Sequence, residues 1–227
     1  MKKILRYFNI AEWIIWISSL ILITVSFMIF DGESYISFIA SLLGSTALIF
    51  CAKGNPIGQI IVIIFSILYA YISFTFAYYG EMITYLGMSA PMAVYAFIAW
   101  MKNPYNGKHS EVKVNKIMGR EWVFLFSLSI IVTVIFFFIL KVFGTSNLIP
   151  STVSITTSFV ASWLTLLRSP YYAIAYSLND IVLIVLWVLA TMENLSYLPM
   201  VLCFVMFFLN DMYGFFNWRR MAKRQKA

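Results

Sequence analysis

Hydrophobic residues in this chain fall into eight long runs, at about 12–30, 34–52, 57–79, 82–101, 121–143, 149–167, 170–191 and 196–218. Each is close to the roughly 20 residues an α-helix needs to cross a bilayer. Turn-forming clusters separate them: Asp31-Gly32-Glu33, Gly54-Asn55-Pro56, Gly80-Glu81, the Asn103 to Gly107 segment, Gly144 to Asn147, Ser169-Pro170 and Glu193-Asn194. The pattern predicts an all-α polytopic membrane protein of about eight transmembrane helices, one membrane domain over 1–227. The sixth run is the most diluted, by Ser and Thr near 148–170. Lys2-Lys3 before the first run resembles the start of a signal peptide, but no convincing small-x-small site follows, so the run is read as a retained helix.

Composition narrows the class further. With 62% hydrophobic and 11% charged residues the chain cannot be a water-soluble fold, which is about 25% charged. Fifteen of the sixteen Lys and Arg residues precede the first run or follow the second, fourth, sixth and eighth, and only Lys141 lies near the other side. The positive-inside rule then places both termini and the 103–120 loop in the cytoplasm. Asp31, Glu33, Glu81 and Glu193 fall in the opposite loops. A basic balance confined to loops and tails also argues against nucleic-acid binding, which would gather it on one face. Cys51 and Cys203 sit in apolar runs as small buried hydrophobes, and His109 is alone in a basic loop. No metal, disulfide or cofactor is expected from them.

The fourth and eighth runs end alike, Tyr95-Ala-Phe-Ile-Ala-Trp100 against Tyr213-Gly-Phe-Phe-Asn-Trp218, each followed by a basic residue. Lys53-Gly-Asn-Pro56 before the third run likewise matches Arg168-Ser-Pro170 before the seventh. Runs 2–4 (34–101) therefore repeat as runs 6–8 (149–218), with 121–143 as a linker helix and 12–30 as an extra N-terminal helix. Three helices, one crossing and three more make the repeats parallel, an arrangement in which transporters bind substrate near the bilayer midplane.

Residues 34 to 221 resemble the PnuC family of bacterial vitamin-precursor transporters, typified by nicotinamide riboside uptake. The resemblance rests on Lys53-Gly54-Asn55, Tyr79-Gly80-Glu81, Tyr95, Trp100, Asn179-Asp180-Ile181 and the Leu209 to Gly214 segment with Trp218. It implies a fold similar to SWEET sugar transporters, facilitated diffusion in the inner membrane, trapping by a cytoplasmic kinase, and trimeric assembly. Nicotinamide riboside members usually carry a Trp-x-x-Trp pair before the Asn or Asp of the penultimate helix; Ala173 and Tyr176 stand at those places here. Relatives that take deoxynucleosides, thiamine or riboflavin therefore remain alternatives.

Asp180 lies about ten residues into its run, where an ionisable group costs at least about 2.5 kcal/mol unless it meets a wet cavity or a partner. Tyr176, Asn179, Asp180, Leu183 and Trp187 share one helical face, combining hydrogen-bonding groups with flat aromatic surface. A nucleoside-like molecule needs both. Gln59, Ser66 and Ser73 form a stripe on the third run, with Tyr69 beside it. Aromatic stacking is expected from Trp187, Tyr176 and Trp163, and hydrogen bonding from Asn55, Gln59, Asn179, Asp180 and Asn210. Asp211, placed within the last third of its run, is expected to matter less than Asp180. Neither His-Glu-x-x-His nor Gly-x-Ser-x-Gly occurs, so an intramembrane enzyme is the remote reading.

Overall fold

The computed structural model describes residues 7–31, 34–145 and 147–226; Lys2, Lys3, Arg6, Gly32 and Glu33 lie outside them. Eight long helices follow one another among the described residues: α1 (Ile10–Phe30), α2 (Tyr35–Ala52), α3 (Ile57–Thr75), α4 (Tyr79–Lys102), α5 (Gly119–Val142), α6 (Leu148–Leu166), α7 (Tyr171–Glu193) and α8 (Leu198–Arg224). Seven are long and apolar enough to cross a membrane. The exception is α6, where eight of 19 residues are Ser or Thr. Thr152, Thr156 and Thr165 return their hydroxyls to carbonyls one turn back. That lets a polar helix sit at the centre of an apolar bundle at little desolvation cost.

Within each triplet the middle helix lies between its neighbours, α3 between α2 and α4, and α7 between α6 and α8. The triplets meet along α2 with α8 and α4 with α6. α5 packs on α6, and α1 on α8 and α2; both keep most of their apolar surface outward, toward lipid.

The two sharp turns at the basic end are built alike. Gly54 and Arg168 adopt left-handed φ of 66° and 58°, and Pro56 and Pro170 then start α3 and α7 with φ −56°. The Asn55 and Ser169 side chains accept the N–H of Ile57 and Tyr171, at 3.0 and 3.3 Å, filling donors that a helix start leaves open. Each turn is also held by the tryptophan that ends the other triplet. Trp218 donates to the Cys51 carbonyl at 2.8 Å, and Trp100 to the Thr165 carbonyl at 3.0 Å.

Three details depart from the apolar pattern. The third run ends as a helix at Thr75, because Ala77 takes φ 53° and the chain folds Tyr78 inward; an apolar loop packed inside reads like helix in sequence. The 103–120 loop holds a two-stranded hairpin, Pro104–Tyr105 with Lys108–Val112, turned at Asn106-Gly107 where both φ are positive. Its Val112 is fully buried and donates its N–H to the Gly54 carbonyl at 2.9 Å. Finally, Glu81 lies in the first turn of α4 rather than in a loop, buried beside Ser154.

The extra helix α1 is fixed at its basic end by a buried ion pair. Asn9 and Glu12 cap each other's backbone N–H at 2.8 Å. The Glu12 carboxylate accepts from Lys53 Nζ at 2.8 Å and from the Tyr213 hydroxyl at 3.0 Å. One acid thus ties α1 to the α2–α3 turn and to α8.

Candidate functional site

A small cavity lies where the two triplets face each other, with walls from α2, α3, α4, α6, α7 and α8. Its volume is about 60 Å³. Ligand sites typically measure roughly 300–1,000 Å³, so the cavity is narrower than a nucleoside-sized ligand needs. Gln59, Ser66, Asn179, Asp180 and Asp211 supply its polar groups, and Phe65, Tyr85, Tyr172, Tyr176 and Phe207 its rings. No Lys, Arg or His lines it.

Asp180 and Asp211 are each 4% exposed, and both line this cavity. The second Asp180 oxygen, Oδ2, has no hydrogen-bond partner among the described residues. Asn179 is oriented by two hydroxyls, Ser154 at 3.0 Å and Thr157 at 2.9 Å, both donating to its Oδ1. Gln59 is held more loosely, its Nε2 3.4 Å from Cys51 Sγ. The Tyr176 hydroxyl lies 3.1 Å from that of Ser162.

Aromatic layers close the cavity at both ends. Toward the basic end, Trp218 packs on Trp100 and Tyr172 with ring centres 5.3 and 5.0 Å away. Toward the other end, Trp187 Nε1 donates to the Tyr69 hydroxyl at 2.8 Å, joining α7 to α3, and Tyr69 packs on Tyr85 at 4.5 Å. Phe76 and Tyr197 cover Trp187 from outside. Gly44 of α2 allows Phe65 and Phe207 to approach; a Cβ there would lie 3.0 Å from the Phe65 ring and closer still to Phe207.

Four residues expected at the site from sequence, Gln59, Tyr176, Asn179 and Asp180, line this cavity together. Tyr69 and Trp187 form its outer closure instead. Asn55 belongs to the α2–α3 turn and donates to the Tyr7 hydroxyl at 2.7 Å. Trp163 packs on Phe124 and Phe159, toward α5. Asn210 faces α1, donating to Ser19 Oγ at 3.1 Å.

The cavity adds Asp211, Tyr85, Ser89, Tyr172, Phe65 and Phe207. Asp211 reads as peripheral only if the last helix ends with its apolar run. The helix continues to Arg224, which puts Asp211 at its middle. Phe207 and Asp211 stand one turn apart, on a shared face that could have marked them. Tyr85 and Ser89 bracket a widened π-type turn, Thr84–Ser89, just before Pro91. Proline lacks the N–H that would continue the regular ladder, and such turns are frequent at functional sites. Periodicity of 3.6 loses phase across it, which is why these two were not legible.

The arrangement has counterparts among known proteins. The sequence profile of the family described as nicotinamide mononucleotide transporter matches residues 34–220. A nicotinamide riboside transporter PnuC of Neisseria mucosa is 28% identical over 217 residues, spanning 94% of this chain and 82% of that protein. One of Haemophilus influenzae is 22% identical over 212 residues, spanning 93% and 91%. The crystal structure of the vitamin B3 transporter PnuC superposes with a TM-score of 0.84 at 28% identity, covering 96% of this chain and 94% of that one. With the profile spanning both triplets and the helix between them, the chain belongs to the nicotinamide mononucleotide transporter family, the PnuC membrane transporters.

Proposed function

We propose that this protein carries a cationic, nucleoside-like vitamin precursor of the nicotinamide riboside type across the bacterial cytoplasmic membrane. The observation that supports this best is that two carboxyls, Asp180 and Asp211, are buried in one ring-lined cavity with no basic residue; sharing one proton, they hold a single negative charge. A pyridinium ring carries one positive charge. The pair would balance it, Tyr85, Tyr172 and Tyr176 would offer flat apolar surface, and Asn179 and Gln59 would replace water on the ribose hydroxyls.

Movement is by facilitated diffusion, in which the outer layer at Tyr69–Trp187 and the inner layer at Trp100–Trp218 open in turn. A cytoplasmic kinase traps the product, both termini face the cytoplasm, and the protein works as a carrier, not an enzyme, in a homo-oligomer, a trimer on the family pattern. The thiazolium of thiamine suits the same carboxyl pair, which keeps it as the second reading ahead of neutral deoxynucleosides and riboflavin.

The test is uptake of labelled nicotinamide riboside, thiamine, riboflavin and deoxynucleosides into proteoliposomes. Nicotinamide riboside should equilibrate without any ion gradient and accumulate only when a kinase and ATP are enclosed. Uptake of none, or accumulation driven by a proton or sodium gradient alone, would reject this reading.

A further inference from the structure

At the basic end a second, larger cavity of about 460 Å³ opens between the extended 113–117 segment, the start of α7 and the end of α8. Lys113, Lys116, Arg219, Lys223 and Lys226 line it, and no Asp or Glu does. The nearby acids are engaged elsewhere: Glu111 with Arg224 and Gln225, Glu121 with the Met118 N–H. Among the described residues none of the five cations has a carboxylate within ion-pair distance.

The walls are fixed to one another. Asn115 donates its N–H to the Arg168 carbonyl at 3.0 Å, and Val114 to Gln225 Oε1 at 2.7 Å. Trp122 and Tyr171, 5.6 Å apart and edge to face, contribute flat apolar surface. Positive-inside charge alone needs no such concavity, and Lys102 and Lys108, on the same end of the molecule, stay outside it. Five like charges converging on one hollow repel each other, and a bound anion relieves that repulsion.

We propose that this hollow is a binding site for a phosphate ester. A phosphate offers up to two negative charges and three acceptor oxygens to several ammonium and guanidinium donors at once, which a carboxylate cannot match. Two sources present that group here. One is the headgroup of an anionic phospholipid at the bilayer edge, where basic pockets between helices take such groups. The other is a nucleoside monophosphate made in the cytoplasm, whose ring would lie on Trp122 or Tyr171; this source rests on the transport reading, whereas the site does not.

The experiment uses the purified full chain and needs no uptake. In neutral-lipid nanodiscs, calorimetric titration with inorganic phosphate and nicotinamide mononucleotide reports the soluble source. Native mass spectrometry from nanodiscs containing phosphatidylglycerol reports the lipid source. Lys116→Gln/Lys223→Gln should weaken binding tenfold or more, with a steep loss in salt. Lys116→Arg/Lys223→Arg should keep it, as should Lys102→Gln/Lys108→Gln, which removes the same charge outside the hollow.

A difference confined to the titration assigns the site to the soluble phosphate, one confined to retained lipid assigns it to the headgroup, and both together support the shared chemistry. Binding by no form, or equal loss in the pocket and control variants, overturns the proposal. Failure of the uptake panel with intact phosphate binding would remove the transport reading and leave this site standing.

Discussion

Charge in the central cavity is the quantity most open to perturbation. On the proposed reading, the buried Asp180 and Asp211 carboxyls share one proton and hold one negative charge. Asp180→Asn or Asp211→Asn preserves the shape and leaves one carboxylate beside an amide that can donate to it, so the charge survives in either single variant. Only Asp180→Asn/Asp211→Asn removes it. A unit charge about 5 Å from a bound cation, at an effective dielectric of about 20, is worth about 3 kcal/mol. Charge-assisted hydrogen bonds fall at about 1.5–3 kcal/mol. The double variant should therefore bind nicotinamide riboside about tenfold to 150-fold more weakly, and each single variant should lose much less.

The control is the dihydro form of the same riboside, which keeps the hydroxyls and carboxamide but has no charge on the ring. Calorimetry on purified protein with both ligands separates charge from shape. Its affinity should hardly change in the double variant. Equal losses for the two ligands, or no loss for either, would refute the argument that the pair acts as a counter-charge.

Four further outcomes follow from the geometry. Gly44→Ala forces Phe207 and Phe65 away from α2 and into the cavity, so uptake should fall severely while the folded yield, followed by size-exclusion chromatography, changes little. Trp187→Phe removes the hydrogen bond to Tyr69, worth about 1 kcal/mol, and should loosen the outer closure, seen as faster modification of a cysteine placed at Ser73. Lys53→Met leaves Glu12 buried without its cation, and should cost about 3 kcal/mol of stability, read as a lower melting temperature that Glu12→Gln in the same chain partly restores. Single cysteines at Ser110 and Gly32 test orientation: a membrane-impermeant reagent added outside cells should label Gly32→Cys and spare Ser110→Cys.

The helices were legible because lipid imposes a strong, simple rule on their length and polarity, and the observed spans stay close to the apolar runs. What the rule does not encode is helical phase. Asn210 and Asp211 are neighbours of similar polarity, yet the roughly 100° between them sends one to Ser19 of α1 and the other to the cavity. The same limit applies to Trp163, which lies on the polar central helix but turns toward Phe124 of the linker helix. A midplane aspartate is visible in sequence because its burial is costly; which of two polar neighbours faces the cavity depends on which helix packs behind it.

The two triplets agree in their turns and closing tryptophans and differ at two places that, in the second, line the central cavity. Ser66 and Asp180 each stand twelve residues after the left-handed residue that opens their helix hairpin, and Ala93 and Asp211 each stand seven before the closing tryptophan. At both equivalent places the second triplet holds an acid where the first holds a small uncharged residue. The turns and tryptophans, by contrast, are alike in both. Features shared by the two triplets are structural: a tight turn and a ring that locks onto the opposite helix. Those that differ put both acids on the central cavity, as a site for an asymmetric molecule would require, because two identical halves cannot match one. On the proposed reading, the carboxyl pair unique to the second triplet is therefore where substrate charge would be read, leaving Ser66 and the π turn at Tyr85 in the first to fit the remainder of the ligand.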